Sequence, residues 1–149
     1  MKRLLILGCS ARKKATPGPV MAWHLYDGSA FRVVKAWARK TPSTAGLDVR
    51  ILSARYGLIS SFLVVPTYDE RMTAEHAREL RDEVRADLQV VCPPGYYDEV
   101  FLMMGRDYLE AIGDLGVFGK SRVIVPQGGI GTKLGALKRW LLSGMEVSA

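Results

Sequence analysis

Two adjacent carboxylates, Asp69 and Glu70, lie between an apolar run and a helical pattern, in a segment without clear periodicity. A carboxylate among cations at a sheet edge can activate water or stabilise an oxocarbenium-like centre. We therefore predict Asp69 and Glu70 as acid–base residues. A structural role also fits them, in which Asp69 caps a turn and Glu70 pairs with Arg71.

The residues after the first apolar run suit an anion. Cys9 and Ser10 follow Gly8, and Lys13 comes three residues later. Small residues let backbone N–H groups form a nest for phosphate, to which Ser10 adds a hydroxyl and Lys13 a positive charge. The spacing is not that of a Walker A loop. We predict Cys9, Ser10 and Lys13 as ligand contacts, with Cys9 fitting an inert small residue better than a nucleophile; a plain turn is the alternative.

A second corner follows another apolar run and combines a hydroxyl, a cation and an aromatic ring: Ser53, Arg55 and Tyr56. Tyr56 can stack on a base, and Arg55 can meet a phosphate or a ring face. We predict these three residues as ligand contacts. Packing of Tyr56 in the core, with its hydroxyl hydrogen-bonded, fits its position equally well.

Two further corners carry Arg106 and a glycine-rich turn. Arg106 stands near the start of a predicted helix, where a cation opposes the helix dipole, and this favours a role in binding. An ion pair with an aspartate explains Arg106 equally well. Gly128 and Gly129 precede the last predicted helix, whose first N–H groups suit phosphate or ribose. A flexible turn is the alternative for these glycines.

The overall charge of the chain favours an anionic partner. Lys and Arg number 21 against 15 Asp and Glu, a net charge of +6 over 149 residues, and such a balance attracts nucleotides or nucleic acid. The cysteines show no CxxC spacing and the two histidines form no metal-binding pair. We therefore predict no metal and no other cofactor. No apolar run reaches the roughly 20 residues of a membrane span or forms a signal peptide core, which predicts a cytoplasmic protein that binds no membrane.

The elements that must position these residues alternate along the chain. Apolar runs predict strands at residues 3–8, 48–53, 99–104 and 122–126, and helical patterns predict helices at 29–40, 74–91, 106–115 and 132–142. Residues 13–26 are predicted as a loop, Ser29 as a helix cap, and residues 62–65 as an edge strand or hydrophobic flap. The alternation predicts one α/β domain over residues 1–149, a three-layer sandwich with a mainly parallel four- or five-stranded sheet. The four corners would then share one edge, where open α/β sheets hold ligands.

Four motifs stand out together: Cys9-Ser10-x-x-Lys13, Tyr26-x-Gly28-x-x-Phe31, Ser53-x-x-Tyr56-Gly57-Leu58 and Tyr68-Asp69. With them the chain resembles a family of small uncharacterised bacterial, archaeal and phage proteins, a domain of unknown function. More distantly, the first motif is similar to one in a domain of the archaeosine synthases, which are related to tRNA-guanine transglycosylase. Those domains look akin to the uracil-DNA glycosylase fold. The resemblance implies an α/β protein that handles a base or a nucleotide.

The leading hypothesis is an enzyme that binds a nucleotide, a nucleoside or a nucleic-acid base and cleaves or exchanges an N-glycosidic bond. In this hypothesis Ser10, Lys13 and the turn at residues 128–131 hold phosphate, Tyr56 stacks on the base and Asp69 lies near the sugar. A non-catalytic nucleic-acid binding module is the alternative. It needs a continuous basic face, built from Arg12, Lys13 and Lys14 together with Lys133, Lys138 and Arg139, which the pattern of the last helix places on its outer side. An interaction subunit that docks through residues 62–65 is a third hypothesis.

Overall fold

A five-stranded sheet forms the centre of the molecule in a computed structural model that describes residues 1–8, 13–14, 16–41, 43–44 and 46–144. The strands in chain order are β1 (Arg3–Gly8), β2 (Val20–Met21), β3 (Leu47–Ser53), β4 (Gly57–Ser60), β5 (Val64–Val65), β6 (Glu99–Met103) and β7 (Arg122–Ile124). The sheet has the order β4-β3-β1-β6-β7, and β2 pairs with β5 in a separate two-stranded ribbon. The strands β3, β1, β6 and β7 are parallel, whereas β4 runs antiparallel to β3.

Helices flank this sheet as two layers. They are α1 (Ala22–Leu25), α2 (Ser29–Lys40), α3 (Ala74–Val91), α4 (Arg106–Ile112) and α5 (Ile130–Ser143). Helix α2 packs on α5, and α3 packs on α4. The crossovers through α2 and α3 run in opposite directions along the sheet, so right-handed connections place them on opposite faces. The predicted three-layer α/β sandwich with a mainly parallel sheet is confirmed.

The burial of β1 fits its position in the middle of the sheet. Its residues Leu4, Leu5, Ile6 and Leu7 are completely buried, as expected for a parallel strand covered by helices on both faces. The longest helix, α3, also follows its sequence pattern, because Ala77, Val84 and Leu88 on its apolar face are buried. Each of these elements was predicted within a residue or two of its observed bounds.

Several local predictions are wrong. Residues 13–26 are not simply a loop, because they contain β2 and α1. Ser29 does not cap α2; Gly28 occupies that position, and no side chain caps the helix there. Residues 113–115 are not helical with α4, because Gly113 has a φ of +73° and ends that helix. A 3-10 helix, Leu115–Phe118, follows instead.

The antiparallel strand β4 was missed. It begins at Gly57, whose φ of +71° lies in the left-handed region, and this conformation lets the chain reverse directly after β3. The pairing of Ser53 with Gly57 closes the resulting hairpin. The apolar run at residues 62–65 contributes only the short strand β5, while Phe62, Leu63 and Val64 remain exposed.

Candidate functional site

A crevice of about 290 Å³ opens at the carboxyl ends of β1 and β6. The chain leaves β1 for β3 on one side and later returns to β6 on the other. Ligands of open α/β sheets bind at such a switch point. Gly8 and Met104 lie at the strand ends in the crevice, while Phe31 from α2 and Ile130 from α5 line its sides. The crevice therefore has a largely apolar surface, and the backbone at Gly8, Gly28 and Gly105 forms part of its edge.

Three helices begin around this crevice, and each has a glycine at its N-cap. Gly28 precedes α2, Gly105 precedes α4 and Gly129 precedes α5, and no side chain caps any of the three helices. By contrast, the Thr73 hydroxyl accepts a hydrogen bond from the third residue of α3 at 3.1 Å. The first N–H groups of a helix have no intrahelical acceptor and carry partial positive charge. The backbone of α2 and α5 thus makes the crevice electropositive.

Lys133 adds a full positive charge to the crevice. Its half-buried side chain donates a hydrogen bond of 3.4 Å to the carbonyl of Met104 at the end of β6. An ammonium has three N–H donors, so this bond orients the lysine and leaves donors for a ligand. The sequence pattern placed Lys133 on the outer side of α5, and this prediction is wrong.

A second cluster lies at the carboxyl end of β3, centred on Tyr68. The Tyr68 hydroxyl is 2.6 Å from that of Tyr26 and 2.9 Å from the Ser53 hydroxyl. The Lys13 ammonium lies 4.4 Å from the centre of the Tyr68 ring. The Tyr56 ring packs edge-on against the same ring at 5.2 Å. The four sequence motifs, which are far apart in the chain, thus meet around one phenol, and we call these five residues the Tyr68 cluster.

Ser53 organises the turn beneath the cluster. Its buried hydroxyl oxygen accepts hydrogen bonds of 3.1 Å from the backbone N–H groups of Arg55 and Tyr56. Both lone pairs are then used, so the Ser53 proton is donated to the Tyr68 hydroxyl. This residue was predicted as a ligand contact, and in the structure its hydroxyl serves the turn and the cluster.

Replacing Ser53 with alanine is expected to lower the free energy of unfolding by about 2 kcal/mol, because two part-buried backbone N–H groups and the Tyr68 hydroxyl lose their partner. Urea unfolding measures this loss. Ser29→Ala is the matched control, since the Ser29 side chain is exposed and caps nothing, and its effect should stay within about 0.5 kcal/mol. Equal stability of the two variants would show that the Ser53 hydrogen bonds carry no net stability.

The Tyr68 cluster lies beside the crevice, and Phe31 contacts both. The Tyr26 ring stacks on Phe31 with centroids 5.2 Å apart, and Phe31 lines the crevice. At the sheet itself, Gly8 is in register with Leu52, one residue before Ser53. The predicted convergence of the strand-end corners at one edge of the sheet is thus found for Lys13, Tyr56 and the glycines of α5.

The two predicted acid–base residues differ in their surroundings. Asp69 is exposed, while Glu70 is half-buried, with a carboxylate oxygen 3.8 Å from Nε2 of His76. The same Nε2 lies 2.5 Å from the carbonyl of Ala54, and Nδ1 is 3.5 Å from the Glu79 carboxylate. The hydrogen bond to Ala54, followed by these carboxylates, raises the pKa of His76. Glu70 therefore lies beside His76 at the start of α3, and Asp69 is the more exposed of the two carboxylate candidates.

The second corner is only partly open to a ligand. Tyr56 is half-buried, and its hydroxyl donates a hydrogen bond of 3.3 Å to the carbonyl of Pro66. Arg55 is exposed, with its guanidinium 5.9 Å from the Tyr56 ring. One edge of Tyr56 is therefore taken by protein contacts, as the alternative interpretation of this residue anticipates.

The remaining predicted site residues lie at the same edge or outside the described parts of the chain. Arg106 is exposed at the first position of α4. Gly128 adopts a left-handed φ of +98° just before the N-cap Gly129 of α5. Cys9 and Ser10 fall outside the residues that the structure describes.

The sequence interpretation gave three residues that shape the site no role in it: Tyr26, Tyr68 and Lys133. Both tyrosines belong to the sequence motifs described above, which therefore already pointed to them. A tyrosine in an irregular segment gives no indication of which partner its hydroxyl finds. Lys133 comes shortly after the glycine turn, which places it in the first turn of α5 and hence at the crevice.

Two features are absent from the described part of the chain. None of its helices combines the length and apolar character needed to cross a membrane. Within the same residues, no three His, Cys, Asp or Glu side chains are grouped so that they could hold a metal ion.

Comparison with known proteins identifies a family for the chain. A family model described as a family of unknown function (DUF6884) matches residues 4–142. No curated protein matches the chain. One solved structure, the crystal structure of AF0587, a protein of unknown function, is similar with a TM-score of 0.49 and 15% identity; the match covers 99% of this chain and 44% of that one. The predicted resemblance to an uncharacterised family is confirmed, and the one to archaeosine synthases stays a prediction.

Proposed function

The chain belongs to this family of unknown function, DUF6884, and we propose that it is an enzyme that binds a nucleotide in the crevice and cleaves or exchanges an N-glycosidic bond. One observation carries the proposal: uncapped helix N-termini and a lysine surround an apolar crevice at the switch point of the sheet. This combination matches a ligand that has both an anionic group and a flat apolar ring.

The phosphate is proposed to lie between the starts of α2 and α5. Backbone N–H groups at helix N-termini bind phosphate through hydrogen bonds and the helix dipole. Gly129 and Gly131 have no neighbouring atom within 4 Å of the position that a Cβ would take, so their backbone is open to a ligand. Lys133 supplies the charge-assisted hydrogen bond, and Ser10 and Cys9 belong to the proposal through their place after β1.

The base is proposed to contact the apolar part of the crevice. Phe31 and Met104 line it, and Ile130 is 62% exposed although it is a large apolar residue at the start of a helix. An exposed isoleucine beside a crevice can cover a ring face, and this contact is favourable because it removes apolar surface from water. The resemblance to the archaeosine synthases supports a base as the ligand group.

The reaction is proposed to take place between the crevice and the Tyr68 cluster, with Asp69 as the acid–base group. When the sugar–base bond breaks, its electron pair goes to the base, the oxygen of a water molecule bonds to the sugar carbon, and the proton that the water loses ends on the base. Asp69, next to Tyr68, would take the proton from that water. Exchange differs only in that a second base takes the place of water.

Isothermal titration of nucleoside monophosphates and the matching nucleosides tests the proposal. The monophosphates are expected to bind at least tenfold more tightly, since a charge-assisted hydrogen bond is worth about 1.5–3 kcal/mol. Lys133→Glu should weaken monophosphate binding at least tenfold. Lys120→Glu makes the same charge change before the start of β7, at the opposite edge of the sheet, and should leave binding unchanged.

Equal affinity for nucleosides and monophosphates would refute the phosphate site, and no binding of either would refute the proposal as a whole. Binding of oligonucleotides alone, with equal losses in the two lysine variants, would favour the non-catalytic nucleic-acid module instead. In the structure Lys138 and Arg139 are exposed, whereas Lys133 lines the crevice. The continuous basic face that the module needs is therefore interrupted at Lys133.

A further inference from the structure

A second concave surface lies along the same helix pair, toward the C-terminal ends of α2 and α5. It is a groove of about 450 Å³ between α2 and α5, which we call the α2–α5 groove. Its floor consists of apolar side chains, among them Val33, Trp37 and Leu141. Leu142 at its margin is 55% exposed. The groove thus leaves apolar surface in contact with water along a seam between two packed helices.

Among the described residues, the charged side chains that line this groove are all positive. Arg32, Lys40 and Lys138 are these side chains. Arg32 is held by Asp27 at 3.0 Å, whereas Lys40 and Lys138 are exposed on α2 and α5 respectively. An apolar floor with a cationic margin is complementary to an apolar ligand with anionic margins.

We propose that the α2–α5 groove docks an acidic amphipathic helix of a partner protein. A helix in a groove contributes apolar side chains at positions i, i+3, i+4 and i+7, and acidic residues beside that stripe would meet Lys40 and Lys138. The net charge of +6 would attract such a partner from a distance. The inference is independent of what binds in the crevice.

The same charges decide against two other occupants. A second copy of this chain related by a two-fold axis would bring each groove against its own equivalent. Lys40 and Lys138 would then face other cations, which costs free energy. An anionic membrane would satisfy the charges, but a flat surface does not reach the floor of a concave groove.

Trp37 provides a reporter for occupancy. Its ring lines the groove, and its buried indole N–H has no acceptor within the described part of the chain. Of the other two tryptophans, Trp140 is buried beside Phe101, and Trp23 lies in a separate cavity that Trp37 also borders. A change of fluorescence that disappears in Trp37→Phe therefore assigns the signal to Trp37.

The test uses a synthetic helical peptide of about four turns, with leucines on one face and glutamates on both flanks, and a matched peptide with lysines in place of the glutamates. The glutamate peptide is expected to bind at least tenfold more tightly than the lysine peptide, to change Trp37 fluorescence, and to weaken as salt is raised. Lys138→Glu and Leu142→Asp should each weaken it at least tenfold.

Two control variants separate the groove from other exposed residues. Phe62→Asp replaces an apolar side chain that is 74% exposed and does not line the groove, and Lys120→Glu changes charge at the far edge of the sheet. Both should bind the glutamate peptide like the unaltered protein. Equal affinity for both peptides, equal losses in Phe62→Asp and Leu142→Asp, or no binding would overturn the proposal. So would self-association abolished by Leu142→Asp, or capture by anionic vesicles without peptide binding.

Discussion

Replacement of Gly8 with valine is expected to destabilise the fold by about 3 kcal/mol, the upper end of what overpacking usually costs. Gly8 ends β1 at the crevice, where a Cβ would lie 2.9 Å from the Cβ of Met104 and 3.3 Å from Cγ of Tyr108. Both neighbours are held by β6 and α4, so they cannot retreat without moving those elements. Urea unfolding gives the loss directly.

Gly131→Ala serves as the control for this result. Gly131 lies in the first turn of α5 with open space around its Cα, and alanine favours helix over glycine by about 1 kcal/mol. This variant should therefore be as stable as the unaltered protein or slightly more stable. If Gly8→Val unfolds at the same urea concentration as Gly131→Ala, then Gly8 is not packed against Met104 and Tyr108 as described above.

Replacement of Asp69 with asparagine is expected to lower the rate of base release at least 100-fold, since acid–base groups typically contribute factors of about 10²–10⁴. Nucleotide binding should change less than twofold, because Asp69 lies outside the proposed phosphate site. Chromatographic measurement of the free base gives the rate, and titration calorimetry gives the affinity.

Glu70→Gln is the matched carboxylate-to-amide control. Glu70 faces His76 at the start of α3, so its replacement is expected to reduce the rate less than tenfold. An equal loss of rate in the two variants would remove the special role of Asp69. A loss of binding that parallels the loss of rate in Asp69→Asn would assign this residue to binding.

The centre of the sheet could be predicted from the sequence because β1 and β6 are almost entirely buried. A continuous apolar run such as Leu4–Leu7 is typical of a strand buried on both faces, which in an α/β protein lies between two helical layers. The alternation of these runs with helical patterns then fixes the layers. The placement of the strand-end corners at one edge of the sheet follows from this topology alone.

The short elements could not be predicted, since tertiary contacts decide them. Residues 57–60 form β4 only because the turn at Gly57 folds them back onto β3. Val20 and Met21 form a strand only because Val64 and Val65 lie beside them. Neither segment has a periodic pattern long enough to indicate a strand by itself.

The contacts within the candidate site could not be predicted from the sequence either. Its glycines and cations were visible in the sequence, yet the partners of Tyr68 come from three distant segments through Lys13, Tyr26 and Ser53. A motif shows which residue types are present, whereas only the fold shows which of them touch. Lys133 entered the site for a related reason, because the helix start at Ile130 turns it toward β6.

The most direct measurement is a titration of the isotope-labelled protein with a nucleoside monophosphate, followed through the backbone amide resonances. We predict that the amides of Gly129, Ile130 and Gly131, together with those of Ser29 and Ala30, show the largest chemical-shift changes. The amides of β4 should show none. Shifts confined to the α2–α5 groove or to residues 62–65, or no shifts at all, would contradict a phosphate site at the carboxyl edge of the sheet.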